Sequence, residues 1–194
     1  MAWNGQAAIP QVIAAALDRD VVSRAVPGAR FDNPSGLIGG LGFDIQRQYP
    51  GGDWNWVVLN GGANDLGFGD CGCGACGPAV DRLIGADAAS GLIPAFIDRV
   101  RRESGAQVLW MGYYAGNGKG SFEGCRDDLV TLEARIARFA EGREGVHFVD
   151  SETVIDPRNP DHFASDNTHP SAEGSRLIGT ALARAISARS QNRP

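Results

Sequence analysis

The sequence predicts an α/β protein in which helices cover both faces of a parallel sheet, a three-layer α/β/α sandwich. Short apolar runs alternate along the chain with longer segments whose apolar residues recur every three or four positions. The first pattern is typical of buried strands and the second of amphipathic helices, and their alternation favours a parallel sheet. No internal repeat or linker composition interrupts the chain, so we expect a single domain over residues 1–194.

The first elements are a helix over residues 7–17, a strand over 20–26 and a helix over 35–49. The first helix has one continuous apolar face, and it therefore needs a sheet beneath it, with a strand expected before it. Three valines predict the strand over 20–26. The sequence Pro27-Gly28 follows it, as in a type II turn. Helical spacing of apolar residues predicts the helix over 35–49.

The later elements repeat the alternation. Apolar runs predict strands, and amphipathic spacing predicts helices. The elements predicted in this way are a strand over 53–61, helices over 79–84 and 92–102, a strand over 107–114, a helix over 126–141, a strand over 146–149 and a helix over 172–188.

Composition and charge exclude several classes of protein. The formal net charge of −5 and the absence of a basic stripe argue against a nucleic-acid partner. No apolar run is long enough to cross a bilayer, and the first residues lack the basic start of a signal peptide. No glycine pattern has the spacing of a nucleotide-binding loop, and no cofactor is expected. The sequence leaves the oligomeric state open.

Four cysteines leave three interpretations open. Cys71, Cys73 and Cys76 lie in one glycine-rich loop, and Cys125 stands apart. They can form two disulfides, a structural zinc or iron–sulfur site, or free thiols. We favour disulfides, with at least one cysteine of the loop bonded to Cys125. Disulfides would place the protein in the periplasm or outside the cell, and free thiols would suit the cytoplasm.

A candidate catalytic pair lies in Asp166-Asn167-Thr168-His169-Pro170. An Asp three residues before a His can fold back within one turn, so that its carboxylate accepts a hydrogen bond from one imidazole nitrogen. That bond fixes the tautomer and leaves the other nitrogen as a base, as in a Ser-His-Asp triad. The alternative is that His169 caps the final helix and Asp166 ends a loop.

A second candidate follows the predicted strand over 53–61, in Gly62-Ala63-Asn64-Asp65. In an open α/β sheet, ligands bind in the crevice at the carboxyl ends of the strands. An Asn side chain there can donate an N–H to a developing oxyanion. The alternative is that Asn64 stabilises its own turn. Asp65 is expected to bind neighbouring backbone.

Together, Gly62-Ala63-Asn64-Asp65 and Asp166-x-x-His169-Pro170 resemble blocks III and V of the SGNH (GDSL-type) hydrolase family, and Arg24-Ala-Val-Pro-Gly28 resembles block II. The resemblance implies a flavodoxin-like parallel sheet and ester hydrolysis. It makes His169 the base, Asp166 its orienter, and Gly28 and Asn64 the oxyanion donors. It calls for no metal.

The family's first block, a Gly-Asp-Ser motif that carries the nucleophile at the end of the first strand, is not among the 194 residues. Met1-Ala2-Trp3-Asn4-Gly5 looks like the segment that follows that Ser. We therefore expect the first strand and the nucleophile to lie upstream. None of Ser23, Ser35, Ser121, Ser151 and Ser165 has the strand-turn-helix context of a nucleophile.

Three hypotheses follow for the function. The first is an SGNH ester hydrolase of esterase, lipase or acetylhydrolase type, acting on a small ester or an acylated glycan. The second is a non-catalytic relative that binds such a ligand. The third is a structural metal protein built on the four cysteines. An upstream Gly-Asp-Ser favours the first hypothesis, and stoichiometric zinc favours the third.

Overall fold

The computed structural model describes residues 6–33, 42–69 and 71–191. The described residues group into two compact units. The first unit is drawn from residues 1–23, 111–123 and 149–194, and the second from residues 24–110 and 124–148. The single domain over 1–194 stays a prediction.

The described residues form seven helices and three strands. In order they are α1 (Ile9–Leu17), α2 (Ile45–Gln48), β1 (Trp56–Leu59), α3 (Ala63–Gly67), α4 (Gly77–Leu83), α5 (Leu92–Ser104), β2 (Gln107–Met111), α6 (Arg126–Glu141), β3 (Val146–Val149) and α7 (Ala172–Gln191). Short 3₁₀ turns lie at Glu123–Cys125, Ser151–Thr153 and Pro160–His162. Among the described helices, none combines the length and the hydropathy that crossing a bilayer requires.

The three strands form the predicted parallel sheet, in the order β1-β2-β3. Strands β1 and β2 pair in parallel from Trp56 with Gln107 to Leu59 with Trp110. The central residues of β2 are fully buried, as a strand covered on both faces requires. The segment that leads into α3 leaves the carboxyl end of β1, which is where the candidate Asn64 loop was expected.

The longer helices of the second unit bury the faces that their apolar spacing predicts. In α5 the buried apolar side chains include Ile93, Phe96, Ile97 and Val100, and in α6 they include Leu129, Leu132, Ile136 and Phe139. Full burial of one such side chain stabilises the fold by roughly 1.5–3 kcal/mol. Gly105 follows the last residue of α5, and its φ of 66° is the left-handed conformation typical of the residue that ends a helix.

In the first unit, α1 packs closely against α7. A Cβ added at Gly179 would lie 2.7 Å from Cβ of Val12 and 3.2 Å from the carbonyl oxygen of Ile9. Glycine at this position therefore allows the two helices to approach. The expected place of α1 on a sheet, next to an upstream strand, stays a prediction.

The predicted strand over 20–26 is wrong, since these residues form no strand in the described structure. Val21 and Val22 are 39% and 56% exposed, so their side chains do not contribute to a core. A strand persists only with a hydrogen-bonded neighbour, and valine propensity alone does not supply one. The predicted helix over 35–49 falls partly outside the described residues. Its described end holds α2, where the Asp44 carboxylate accepts a hydrogen bond from the Gln46 N–H at 2.9 Å.

The four cysteines form two disulfides. Cys71 bonds to Cys76 and Cys73 to Cys125, with Cα–Cα distances of 5.3 Å and 4.4 Å. The predicted link between the cysteine loop and Cys125 is confirmed. Because all four sulfur atoms are bonded in pairs, none is a thiolate ligand, and the structural metal hypothesis is wrong for these residues.

Candidate active site

Asp166 and His169 form the hydrogen-bonded pair that their spacing predicts. The Nδ1 atom of His169 lies 2.7 Å from Oδ2 of Asp166. Because an ionised carboxylate only accepts hydrogen bonds, Nδ1 carries the proton and Nε2 keeps a lone pair. The side chains are 37% and 29% exposed, so the pair is open to solvent. This is the arrangement of an oriented base.

The second carboxylate oxygen of Asp166 is held by the backbone. Oδ1 accepts hydrogen bonds from the N–H groups of Thr168 at 3.0 Å and His169 at 2.9 Å. Partial desolvation alone would raise the pKa of Asp166. The N–H and the ring of His169, together with the N–H of Thr168, outweigh that effect and hold this pKa at about 2. Asp166 is therefore ionised wherever a histidine can act as a base.

The loop that carries the pair is closed by its own backbone. The Ala164 N–H donates to the His169 carbonyl at 2.8 Å, and the Asn167 N–H donates to the Ala164 carbonyl at 2.9 Å. Asn167 has a φ of 57°, a left-handed conformation that Asn adopts more readily than most residues. Phe163 and Pro170 form an antiparallel bridge across the base of the loop. These backbone contacts hold Asp166 and His169 in position relative to each other, in the loop that precedes α7.

In the second unit, Gly28 occupies the predicted turn. The Ala29 N–H donates to the Val26 carbonyl at 3.2 Å, and Gly28 has a φ of 78°. With Pro27 before it, this is a type II turn, whose third position favours glycine. The turn is confirmed, and the use of the Gly28 N–H as an oxyanion donor stays a prediction.

Asn64 is tied to that same turn. Its side-chain Nδ2 donates a hydrogen bond to the Ala29 carbonyl at 3.0 Å. The alternative in which Asn64 stabilises only its own turn is therefore incomplete, because the side chain holds a segment far away in sequence. A side-chain amide has two N–H donors and this bond uses one of them. The oxyanion role of Asn64 stays a prediction.

Asp65 binds backbone, as expected, although the backbone belongs to residues distant in sequence. Its Oδ2 accepts from the Phe31 N–H at 3.1 Å, and its Oδ1 accepts from the Asp32 N–H at 2.7 Å. The side chain is buried. Desolvation raises the pKa of Asp65 to about 6, against the lowering effect of these two N–H groups and Arg30. Through these hydrogen bonds, Asn64 and Asp65 hold residues 29–32 against the start of α3.

A small pocket of the second unit borders Asp65. It is lined by Arg30, Asp32, Asp65, Gly69, Ala79, Arg82 and Leu83, and its volume is about 90 Å³. Nε of Arg82 pairs with Oδ2 of Asp32 at 2.9 Å beside it. Ligand sites for small molecules usually measure roughly 300–1,000 Å³. We therefore assign no substrate to this pocket.

The other two histidines have structural contacts. Nε2 of His147 lies 2.9 Å from Oε1 of Gln107, and its ring lies against Trp56. Nδ1 of His162 accepts a hydrogen bond from the Asp156 N–H at 3.0 Å. These partners are a side-chain amide and a backbone N–H, whereas the partner of His169 is a carboxylate. His169 is thus the histidine that the geometry favours as a base.

The structure brings together Asp166 with His169 in the first unit, and Asn64 with the Gly28 turn in the second. The sequence interpretation gave residues 114–121 no role in the site. In the first unit, Tyr114, Asn117 and Ser121 hydrogen-bond to Asn167 and Thr168. No local pattern signals these contacts, because the partners lie about fifty positions apart.

The family assignment follows from comparison with known proteins. A model of the GDSL-like lipase/acylhydrolase family matches residues 1–177. The chain therefore belongs to this family, and the predicted SGNH/GDSL relationship is confirmed. Family membership supports an esterase-type hydrolase. No curated protein has a sequence that matches this chain.

Solved structures show the same fold. One is a carbohydrate acetylesterase family member from Sinorhizobium meliloti, 18% identical with a TM-score of 0.61, covering 94% of this chain and 86% of the other. A candidate SGNH hydrolase from Slackia heliotrinireducens is 22% identical with a TM-score of 0.60, covering 92% and 90%. A family two carbohydrate esterase from Clostridium thermocellum, solved with cellohexaose, is 15% identical with a TM-score of 0.56, covering 97% and 55%. These likenesses confirm the predicted α/β/α class.

Proposed function

We propose that the protein is an SGNH ester hydrolase in which His169 is the general base and Asp166 orients it. The observation that carries this proposal is the 2.7 Å hydrogen bond between Nδ1 of His169 and Oδ2 of Asp166. These two residues are also the ones that match the family's last motif. Because the bond keeps the proton on Nδ1, Nε2 can accept a proton from a nucleophile.

The nucleophile in this proposal is a Ser in a Gly-Asp-Ser segment upstream of Met1. Nε2 of His169 takes the hydroxyl proton while the Ser oxygen bonds to the ester carbonyl carbon. Nε2 then gives that proton to the leaving alcohol oxygen as the C–O bond breaks. A water molecule repeats both steps on the acyl-enzyme, which releases the acid and restores the Ser.

Gly28 and Asn64 are proposed as the donors that stabilise the tetrahedral oxyanion. Their support is the hydrogen bond that the Asn64 side chain donates to the carbonyl of Ala29, the residue after Gly28. A donor fixed in this way needs no reorganisation when the oxyanion forms, which is the source of its catalytic effect.

For the substrate, we propose a small ester, with acylated glycans as the favoured class. Two of the similar solved structures support this choice, since one is a carbohydrate acetylesterase family member and another a carbohydrate esterase solved with cellohexaose. We also propose that the protein works outside the cytoplasm. The two disulfides support this location, since disulfides persist in oxidising compartments.

A second candidate is a non-catalytic relative that binds such a ligand. It is favoured by one observation, that the 194 residues contain no Gly-Asp-Ser. The coding sequence immediately upstream separates the two candidates. An in-frame Gly-Asp-Ser favours the hydrolase, and its absence favours the binding protein.

The activity test compares the 194-residue chain with a version that includes the upstream segment. The extended version should hydrolyse small activated esters, and the 194-residue chain should have little or no activity, because a base without its nucleophile can only activate water. In the extended version, His169→Ala should abolish turnover. His162→Ala is the matched control, because Nδ1 of His162 accepts a hydrogen bond from a backbone N–H, that of Asp156, and turnover should persist. Equal activity in both variants would reject His169 as the base.

A further inference from the structure

The loop that carries Asp166 and His169 is supported from outside by residues 114–121, which belong to the same unit. Tyr114 Oη donates to the Thr168 carbonyl at 2.9 Å, and Asn117 Nδ2 donates to Oδ1 of Asn167 at 3.0 Å. The Ser121 N–H donates to Oγ1 of Thr168 at 3.0 Å. We call residues 114–121 the supporting segment.

Close backbone packing adds to these hydrogen bonds. A Cβ added at Gly120 would lie 2.6 Å from the carbonyl oxygen of Asn167 and 2.8 Å from Oγ1 of Thr168. Glycine is therefore required for the supporting segment to lie this close to the catalytic loop. The supporting segment therefore contacts the loop that carries Asp166 and His169 through both backbone and side-chain groups.

Tyr114 acts on the peptide group that matters most for His169. The peptide between Thr168 and His169 has its carbonyl bonded to Tyr114 and its N–H bonded to Oδ1 of Asp166. Hydrogen bonds on both sides fix the rotation of this peptide plane. Cα of His169 belongs to this peptide plane. The orientation of the plane therefore affects the direction in which the imidazole points toward Oδ2 of Asp166.

The surroundings of Tyr114 keep its hydroxyl protonated, so that it can donate a hydrogen bond. Its ring makes an edge contact with the buried Phe163, with centroids 6.0 Å apart. Burial raises the pKa of Tyr114 above its usual value, and Tyr113 and Asp166 raise it further. The hydroxyl therefore stays protonated at neutral pH and can donate its hydrogen bond there.

We propose that Tyr114 is a positioning residue, which holds the Thr168 carbonyl so that His169 stays aligned with Asp166. The proposal rests on the proposed role of His169 as the base. It extends that role to a residue that touches neither the substrate nor the base itself. Its core statement, that Tyr114 orders the catalytic loop, concerns structure and can be tested without turnover.

The direct test is NMR of the 194-residue chain, which needs no nucleophile. Tyr114→Phe keeps the ring contact with Phe163 and removes only the hydroxyl. The low-field resonance of the Nδ1 proton of His169 should broaden or shift, and the His169 backbone amide should exchange about tenfold faster, as loss of one hydrogen bond predicts. Asn117→Ala should change the same signals in the same direction.

Tyr49→Phe is the matched control. The Tyr49 hydroxyl is buried and has no hydrogen-bond partner among the described residues, so its removal should leave both His169 signals unchanged. If Tyr114→Phe leaves them as unchanged as Tyr49→Phe does, the proposal is overturned.

Kinetics of the upstream-extended protein separate this inference from the proposed function. Tyr114→Phe should lower kcat about tenfold and leave KM within about twofold, because the alignment of the base acts on the chemical step. An extended protein without activity whose His169 signals still respond to Tyr114→Phe would reject the proposed function and leave the loop inference intact. An active protein with unchanged kcat and unchanged signals would reject the inference alone.

Discussion

Removal of the two disulfides, one at a time, should cost very different amounts of stability. The Cys73–Cys125 bond closes a loop with a sequence separation of 52, whereas Cys71–Cys76 closes one of 5. On the chain-entropy model the longer loop contributes about 4 kcal/mol and the shorter one about 2 kcal/mol. Cys73→Ala/Cys125→Ala should therefore lower the free energy of unfolding by about 2 kcal/mol more than Cys71→Ala/Cys76→Ala does.

The two double variants are well matched. Each removes one fully buried cysteine, Cys125 or Cys76, and each of these is 0% exposed. Each also removes one partly exposed cysteine, Cys73 or Cys71. The cavities left by the sulfur atoms should cost similar amounts, so the difference between the variants isolates the loop length.

Urea unfolding of the two variants and the wild type, followed by fluorescence of the tryptophans, gives the three free energies. Mass spectrometry under non-reducing conditions should first confirm that each variant keeps its remaining disulfide. Equal losses for the two variants, or a larger loss for Cys71→Ala/Cys76→Ala, would refute the loop-length reasoning.

Three further predictions concern single residues. Burial raises the pKa of Asp65 to about 6 from 3.8. The protonated side chain therefore contributes its full share to the free energy of unfolding below about pH 4, and this contribution is lost as the pH rises through 6. Measured by urea unfolding relative to Asp65→Asn, the free energy of unfolding of the wild type should fall by about 3 kcal/mol across this pH window. The same pH dependence of this free energy in both proteins would contradict the raised pKa. Asn64→Ala in the upstream-extended protein should lower kcat by about 10²–10³, and a loss below tenfold would exclude an oxyanion role. Gly179→Ala should destabilise by about 1–3 kcal/mol in thermal unfolding, because its Cβ would lie 2.7 Å from Val12, whereas Gly142→Ala, with ordinary contacts of 3.8 Å, should be near neutral.

Local periodicity explains why most helices and strands were predictable from the sequence. Helix α6 and strand β3 begin and end at the predicted residues, because each has a continuous apolar pattern of its own. The strand over 20–26 failed for the opposite reason. Its valines have the propensity for a strand, but whether a neighbour exists is decided by the rest of the fold.

In the candidate site, too, contacts between residues close in sequence were predictable and contacts between distant residues were not. The Asp166–His169 pair was predictable because three residues separate the partners, and one turn of backbone brings them together. The hydrogen bonds of Asn64 to Ala29 and of Tyr114 to Thr168 were not predictable, since they join residues 35 and 54 positions apart. Such contacts depend on tertiary packing, which no local pattern encodes.

The central claim, that His169 activates a serine nucleophile, is tested most directly by covalent labelling of the upstream-extended protein with a fluorophosphonate. Intact mass and peptide mapping should show one adduct per chain, located on the Ser of the upstream Gly-Asp-Ser. In His169→Ala the labelling should slow by several orders of magnitude, while His162→Ala should label at the wild-type rate. Labelling of His169→Ala at the wild-type rate, or no adduct in the extended protein, would contradict the account.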